Sequence, residues 1–267
     1  MGLLSDRPGD RFVEPDRLPT FAPEATNRWF PISHATFYEE VRRSLKDAKI
    51  KVSREQHVLA SDGRRYFGVM YVKPDSHSKN LDWATPNGCE LALGLRHSID
   101  KSIAACLLYG AEVFVCSNLA FSGEIILAQK HYSRIRWELP TLVDNAIGSL
   151  SGCFEQQADE YAAFQKLHVN SQRVPYLLLQ LQDRGIIPAG KVPMLFRHAL
   201  HLPKEAHLTD LPEQANVEVP IWDIFNAITE YLPGTVEAAE VGRRTMELHR
   251  RCIGWCRNAG ALAQLSS

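Results

Sequence analysis

Between Cys89 and His131 apolar runs alternate with short polar clusters: Arg96-His97-Ser98, Asp100-Lys101-Ser102, Cys116-Ser117-Asn118 and Ser122-Gly123-Glu124. Apolar runs of this length predict strands, and polar groups at strand ends gather on the rim of the sheet they build. Leu91, Leu93 and Leu95 alternate with Ala92, Gly94 and Arg96, which is the period of a strand. The spacing predicts further strands over 112–116 and 124–131. It leaves 103–109 open between strand and short helix, because a short apolar run does not resolve by period. Upstream, 56–60 and 65–72 flank Ser61-Asp62-Gly63-Arg64, and Asp-Gly marks a hairpin because such turns need positive φ. In the second of these strands Tyr66, Met70 and Val72 fall on one side and Phe67, Val69 and Tyr71 on the other. A strand apolar on both faces belongs inside its sheet. Short connections without βαβ spacing predict an antiparallel sheet over about residues 52–131.

Helical spacing occupies most of the remainder. Ser33 is placed to cap a helix whose Phe37, Val41, Leu45 and Ala48 share a face. Beyond the sheet, 137–150 and 153–168 read as helices, the second with Phe154, Ala158, Tyr161 and Phe164 on one side. Asn170 or Ser171 caps a helix to Asp183, stopped at Arg184-Gly185, and a shorter one follows over 188–200. This helix, glycine turn and helix fit a helix-turn-helix, although most such pairs are structural packing. A last helix spans 235–259. Residues 1–33, with prolines at 8, 15, 19, 23 and 31, predict an extended arm, and 74–88 a connecting loop. The expectation is an α+β fold: an arm over 1–33, then a single domain over 34–267 whose antiparallel sheet packs against a predominantly helical C-terminal half.

Composition narrows the class. A chain with 45% hydrophobic and 23% charged residues is that of a globular protein. The net charge of -1 leaves any nucleic-acid contact to a local basic patch. Scattered cysteines, no secretory leader pattern and no apolar run near ~20 residues predict a cytoplasmic protein with reduced thiols and no membrane partner. Charge is segregated near the end: 205–240 is acidic with no Lys or Arg, whereas Arg243, Arg244, Arg250, Arg251 and Arg257 face Glu247 alone. The two blocks can pair with each other, or the arginines can contact phosphates.

Familiar chemistry is mostly missing. Neither phosphate-cradling glycine loop occurs, nor the G-x-S-x-G elbow of serine hydrolases. His249, Cys252 and Cys256 share a helical face and, with His198 and His201, have the types of a zinc set. They lack knuckle spacing, and buried cysteine is commonly a plain apolar group, so no metal or cofactor is expected. Cys116, Asn118 and His97 have the types of nucleophile, oxyanion donor and base. Asp100, Lys101, Ser102 and Glu124 add acid–base or phosphate-binding groups to this central candidate site.

The run from Gly94 to Ile125 resembles the signature of the domain of unknown function 932 family, also called the phage/plasmid-like protein family. The carrying elements are Arg96-His97-Ser98-Ile99-Asp100-Lys101-Ser102 and Val115-Cys116-Ser117-Asn118-Leu119. Trp222-Asp223-Ile224-Phe225-Asn226-Ala227-Ile228-Thr229-Glu230 is similar to the family's downstream element. The first element departs in order, with His97-Ser98-Ile99 in place of Ser-His-Asp. The resemblance implies a soluble protein of phages, prophages and plasmids, engaged in DNA metabolism or in countering host defence. A meander followed by long helices is also the layout of phage single-strand annealing proteins. The leading expectation is therefore non-catalytic nucleic-acid binding or an anti-defence role. Arg64 and Arg65 at the hairpin tip, Lys101 at the rim and Arg243, Arg244, Arg250 and Arg251 would meet phosphates, with homo-oligomerisation lengthening the surface. The alternatives are an enzyme using His97, Asp100, Lys101, Cys116, Asn118 and Glu124, and a protein that sequesters a nucleotide at the same rim.

Overall fold

The computed structural model describes residues 10–74, 89–113, 118–128, 134–203, 217–232, 235–236 and 238–259. The fold is α+β. Strands β1 (Arg11–Val13), β2 (Ile50–Ala60), β3 (Arg65–Pro74), β4 (Cys89–Ser98), β5 (Ala105–Val113) and β6 (Asn118–Ala128) form one six-stranded sheet in sequence order. Every pairing is antiparallel, so the sheet is a simple meander. The N-terminal arm enters this architecture: β1 lies on the outer edge of β2, and Leu18 and Ile32 are buried in the core beneath it.

Helices α1 (His34–Asp47), α2 (Ile135–Gly148) and the start of α3 (Leu150–Lys166) cover one face of the sheet. Ser33 caps α1 by accepting the Thr36 N–H at 3.0 Å. Beneath these helices lie Tyr66, Met70, Val72, Leu91, Leu93, Leu95 and Leu107. Phe67, Val69 and Tyr71 point to the opposite face, where Cys106, Leu108, Phe121 and Met246 join them, so β3 is apolar on both sides as its alternation predicts.

The second half of α3 packs with α4 (Val174–Asp183), α5 (Val192–Ala199), α6 (Ile221–Tyr231) and α7 (Ala238–Arg257) around a further core. The short strands β7 (His168–Asn170) and β8 (Glu218–Pro220) pair beside it. The helix-turn-helix-like pair is α4 and α5, and it belongs to this core: Leu177, Leu178 and Leu181 are buried in one cluster with Leu195 and Phe196. Its turn is a Schellman cap. Gly185, at φ +68°, donates to Gln182 O at 2.9 Å, and Ile186 donates to Leu181 O at 2.9 Å.

Two expected boundaries are corrected. Residues 103–109 fall mostly in β5, which runs to Val113, instead of ending before a separate strand at 112–116. The sixth strand starts at Asn118 and not at 124, so Ser122-Gly123-Glu124 lies inside a strand and not at a turn. Glycines at 110 and 123 obscured this in the pattern. A Cβ on Gly110 would sit 2.1 Å from the Ala120 carbonyl oxygen, and one on Gly123 would lie 2.3 Å from the Tyr109 hydroxyl. Both glycines are strand residues chosen for close approach, not turn residues. Positions 114–117 and 129–131 lie outside the described residues.

β6 is an edge strand, and its free backbone is covered by α7. The Thr245 hydroxyl accepts the Phe121 N–H at 3.2 Å, which protects an edge that would otherwise pair with another chain. Among the described residues no helix is long and apolar enough to cross a membrane.

Candidate functional site

Apart from Asn118, the described residues of the predicted central cluster divide among three places. The first is the end of the sheet that carries the β2–β3 hairpin tip and the β4–β5 connection. There Ile99 N–H donates to Arg64 O at 2.9 Å, tying the two loops together. Asp100 accepts from the Ser102 N–H at 2.9 Å and from the Ser102 hydroxyl, while Arg65 Nε donates to Ser102 Oγ at 2.9 Å and lies 3.6 Å from the carboxylate. Burial pushes the Asp100 carboxyl up, but the bonds from Ser102 and Ser98 and the charge of Arg65 outweigh it and hold the group below its usual value. Asp100 is thus an ionised loop anchor. Lys101 takes φ +69° and lays its ammonium over the Trp29 ring, 4.6 Å from the centroid. Arg64, Arg65, Asp100, Lys101 and Ser102 do meet on this rim.

His97 does not join them. Its ring is buried under α1, with Nδ1 2.7 Å from His34 Nδ1, and His34 Nε2 lies 3.0 Å from Gly63 O. A carbonyl only accepts, so His34 carries its proton on Nε2. With both rings neutral, His97 Nδ1–H donates to His34. The candidate base is a core histidine tying β4 to His34 of α1, which in turn holds the hairpin tip. Asn118 sits at the opposite end, opposite Val113, roughly 27 Å along β5 from Ala105 at the usual strand rise. The base and the oxyanion donor of the thiol constellation therefore do not converge, and Cys116 lies outside the described residues.

The third place combines residues expected to be separate. Glu124 of β6, Arg96 of β4, Arg184 at the end of α4, and Arg243, Met246, Glu247 and Arg250 of α7 line one cleft of about 500 Å³. Arg96 reaches to 3.9 Å from Glu124. Arg243 and Arg250 are seven residues apart on one helical face, which brings both to the same opening. The lining holds four arginines against two glutamates, and Arg184 makes no ion pair among the described residues. Arg244 and Arg251 are not part of the lining. Arg244 donates to Ile186 O at 3.2 Å, and Arg251 donates to Glu247 at 3.1 and 3.2 Å. A larger cleft of about 650 Å³ follows the β1–β2 edge, but Arg11 and Arg17 there are balanced by Glu14 and Glu55, so it has no excess of either charge.

Sequence reasoning missed Arg96 and Arg184 as site residues. Strand alternation carried the signal for the first: Leu91, Leu93, Leu95 and His97 face one core, so Arg96 must face the other way. Arg184 was read only as part of a helix stop.

A fourth arrangement was not anticipated. Gln157 Nε2 donates to Ser122 Oγ at 2.6 Å, Ser122 Oγ lies 3.3 Å from His249 Nδ1, and His249 Nε2 lies 2.6 Å from Glu160 Oε2. These are the residue types of a hydrolytic relay. Yet Ser122 is 8% and His249 1% exposed, and Tyr161, Phe164 and Phe225 pack around the imidazole. A nucleophile walled off in this way has no substrate. The chain instead ties α3 and α7 to the sheet. Burial pushes the Glu160 carboxyl up, while bonds from His249 and Gln156 more than reverse that and leave it lowered.

The zinc set does not assemble. His198 pairs with Glu230 at 2.9 Å and His201 with Asp223 at 3.2 Å, while His249 and Cys252 are buried. Among the described residues no group of three or more His, Cys, Asp or Glu side chains is placed to hold a metal ion.

Comparison with protein-family models, with curated proteins and with solved structures returns no match. The likeness to the phage/plasmid-like family therefore rests on the sequence elements quoted above.

Proposed function

We propose that the protein binds nucleic acid without catalysing a reaction on it, gripping phosphates in the cleft between the sheet and α7. The observation that carries this reading is the convergence of Arg96, Arg184, Arg243 and Arg250, contributed by three separate elements, on one opening. Guanidinium groups present planar forks of donors that match phosphate oxygens, and four of them supply locally the positive field that a near-neutral chain lacks overall. Glu124 and Glu247 hold Arg96 and Arg250 in place, and Glu240 holds Arg243. Arg64, Arg65 and Lys101 extend the positive surface along the hairpin end of the sheet. The resemblance to a phage and plasmid family fits a role in DNA metabolism or against host defence.

The cleft volume supports one second reading, a protein that sequesters a free nucleotide, because about 500 Å³ lies within the range of small-molecule sites. One experiment separates the two. Labelled oligothymidine is titrated with protein over a series of salt concentrations, with and without free nucleotides as competitors. If each of the four arginines meets one phosphate, log affinity should fall against log salt with a slope of about −3. Arg243→Gln with Arg250→Gln should make that slope shallower by about 1.4. Competition by a mononucleotide at equimolar level would favour sequestration. No binding at low salt to single strand, duplex or nucleotide would remove both.

A further inference from the structure

Trp137 is 84% exposed, the most open of the large apolar side chains described. Its helix explains the direction. Ile135, Leu139 and Val143 turn α2 into the core, so the residue between the first two points outward. Arg134 and Arg136, three residues and one residue before it, are also exposed, and their side chains make no hydrogen bond or ion pair among the described residues.

The position follows from the contacts of α1. His34, in the first turn of α1, bonds Gly63 at the hairpin tip. Ser33 and Thr36 share a groove with Arg136 and Leu139, so the first turn of α2 lies beside the first turn of α1. Arg43 bonds Asp144 at 3.0 Å further along, which shows that the two helices run parallel. Trp137 and its two arginines therefore stand at the same end of the molecule as Arg64, Arg65 and Lys101.

We infer that Trp137 is a stacking platform for an unpaired base, with Arg134 and Arg136 taking the flanking phosphates. This deepens the nucleic-acid reading above, rests on it, and selects single strands as the substrate class. A lone exposed indole carries no such meaning. Here the two unpaired cations beside it supply charge complementary to a phosphate backbone. An indole face beside guanidinium groups is what single-strand binding uses: every base offers a π face to stack, and a duplex hides those faces.

The test compares wild type, Trp137→Ala and Trp137→Phe by fluorescence anisotropy, using labelled oligothymidine and a duplex of equal length. Thermal melts should be unchanged because the side chain buries little. Trp137→Ala should weaken oligothymidine binding roughly five- to hundredfold, leave duplex binding unchanged, and be largely rescued by Phe, which keeps an aromatic face. Equal loss on both probes, or no rescue by Phe, would overturn the stacking role. Unchanged binding in Trp137→Ala, while Arg243→Gln with Arg250→Gln still weakens it, would overturn this inference alone and leave the cleft reading in place. If wild type binds neither probe, both readings fall together.

Discussion

The arginine cleft and the Ser122–His249–Glu160 chain share two elements, β6 and α7, and differ in almost every physical respect. Glu124 and Ser122 are two residues apart on β6, and Arg250 and His249 are neighbours on α7. On one side of that contact four arginines outnumber two carboxylates around open space. On the other, a buried serine and a buried histidine are linked to a half-buried glutamate in a closely packed interior. Residues two apart on a strand ordinarily share a face. Here they do not, because Gly110 pairs with Phe121 while the preceding Tyr109 pairs with Gly123, leaving Ser122 as the extra residue of a β-bulge. One inserted residue sends Ser122 toward α3 and Glu124 toward the cleft. Residue type suggests catalysis on the dry side and burial denies it, whereas the wet side looks unremarkable in sequence and has the accessible charge.

The largest disturbance should come from removing the bulge that separates the two regions. Gly110→Ala would drive a Cβ to 2.1 Å from the Ala120 carbonyl oxygen and 2.8 Å from the Phe121 Cα. Both obstacles are backbone, so β6 itself must move. A loss of about 3 kcal/mol is expected in urea denaturation, at the upper end of overpacking costs, together with weakened binding at the cleft. The control is Gly152→Ala in α3, where nothing lies within 4 Å of the added carbon. That change should instead raise stability by up to about 1 kcal/mol through helix propensity. If the two alanines behave alike, close approach at Gly110 is not what holds β6 in register.

A smaller effect should break one region and leave the other. His249→Ala removes one partner each from Glu160 and Ser122, which keep only their bonds from Gln156 and Gln157 among the described residues. The expected loss is about 2–3 kcal/mol, since a bond to a charged group is worth more than a neutral one and a buried imidazole is removed from among three aromatic rings. Oligothymidine affinity per folded molecule should stay at the wild-type level. Arg243→Gln with Arg250→Gln should show the reverse, with binding lost and the denaturation midpoint kept, because among the described residues these arginines pair only with Glu240 and Glu247 of their own helix, in exposed positions. Loss of binding in His249→Ala at full folding would place that histidine in the functional machinery after all.

Much of the scaffold was legible because local rules act alone there. Ser33 caps, Asp62-Gly63 turns, Gly185 stops a helix, and β3 shows its two apolar faces in strict alternation. The β5–β6 boundaries were not legible, since Gly110 and Gly123 interrupt the apolar runs and their close cross-strand neighbours do not show in the sequence. The site was legible in part. Arg243, Arg250 and Glu124 were singled out, but for different sites, and no local pattern joins residues more than a hundred positions apart. Arg96 was recoverable from the alternation of β4. The pairing of Glu160 with His249 was not, because it depends on how α3 and α7 dock. His97 shows the converse error: a histidine among polar neighbours looks functional until the strand register sends it inward.

The finest test of the contrast lies in acid. Glu160 has its carboxyl held below the ordinary 4.5 by His249 and Gln156, against burial that pushes the other way. A carboxylate whose folded value is depressed contributes stability that is complete above its unfolded value. That contribution is lost as pH falls from about 4.5 through the lower folded value, since the unfolded chain then binds the proton more readily. Glu160→Gln keeps an oxygen toward His249 and removes the titration. Its stability should be below wild type at pH 7 by about 1 kcal/mol, and the gap should close as the pH drops below 4.5. Parallel acid limbs for wild type and Glu160→Gln would mean that the dry chain does not hold its charge in the folded state, and the division between the two sides of α7 would then be one of shape alone.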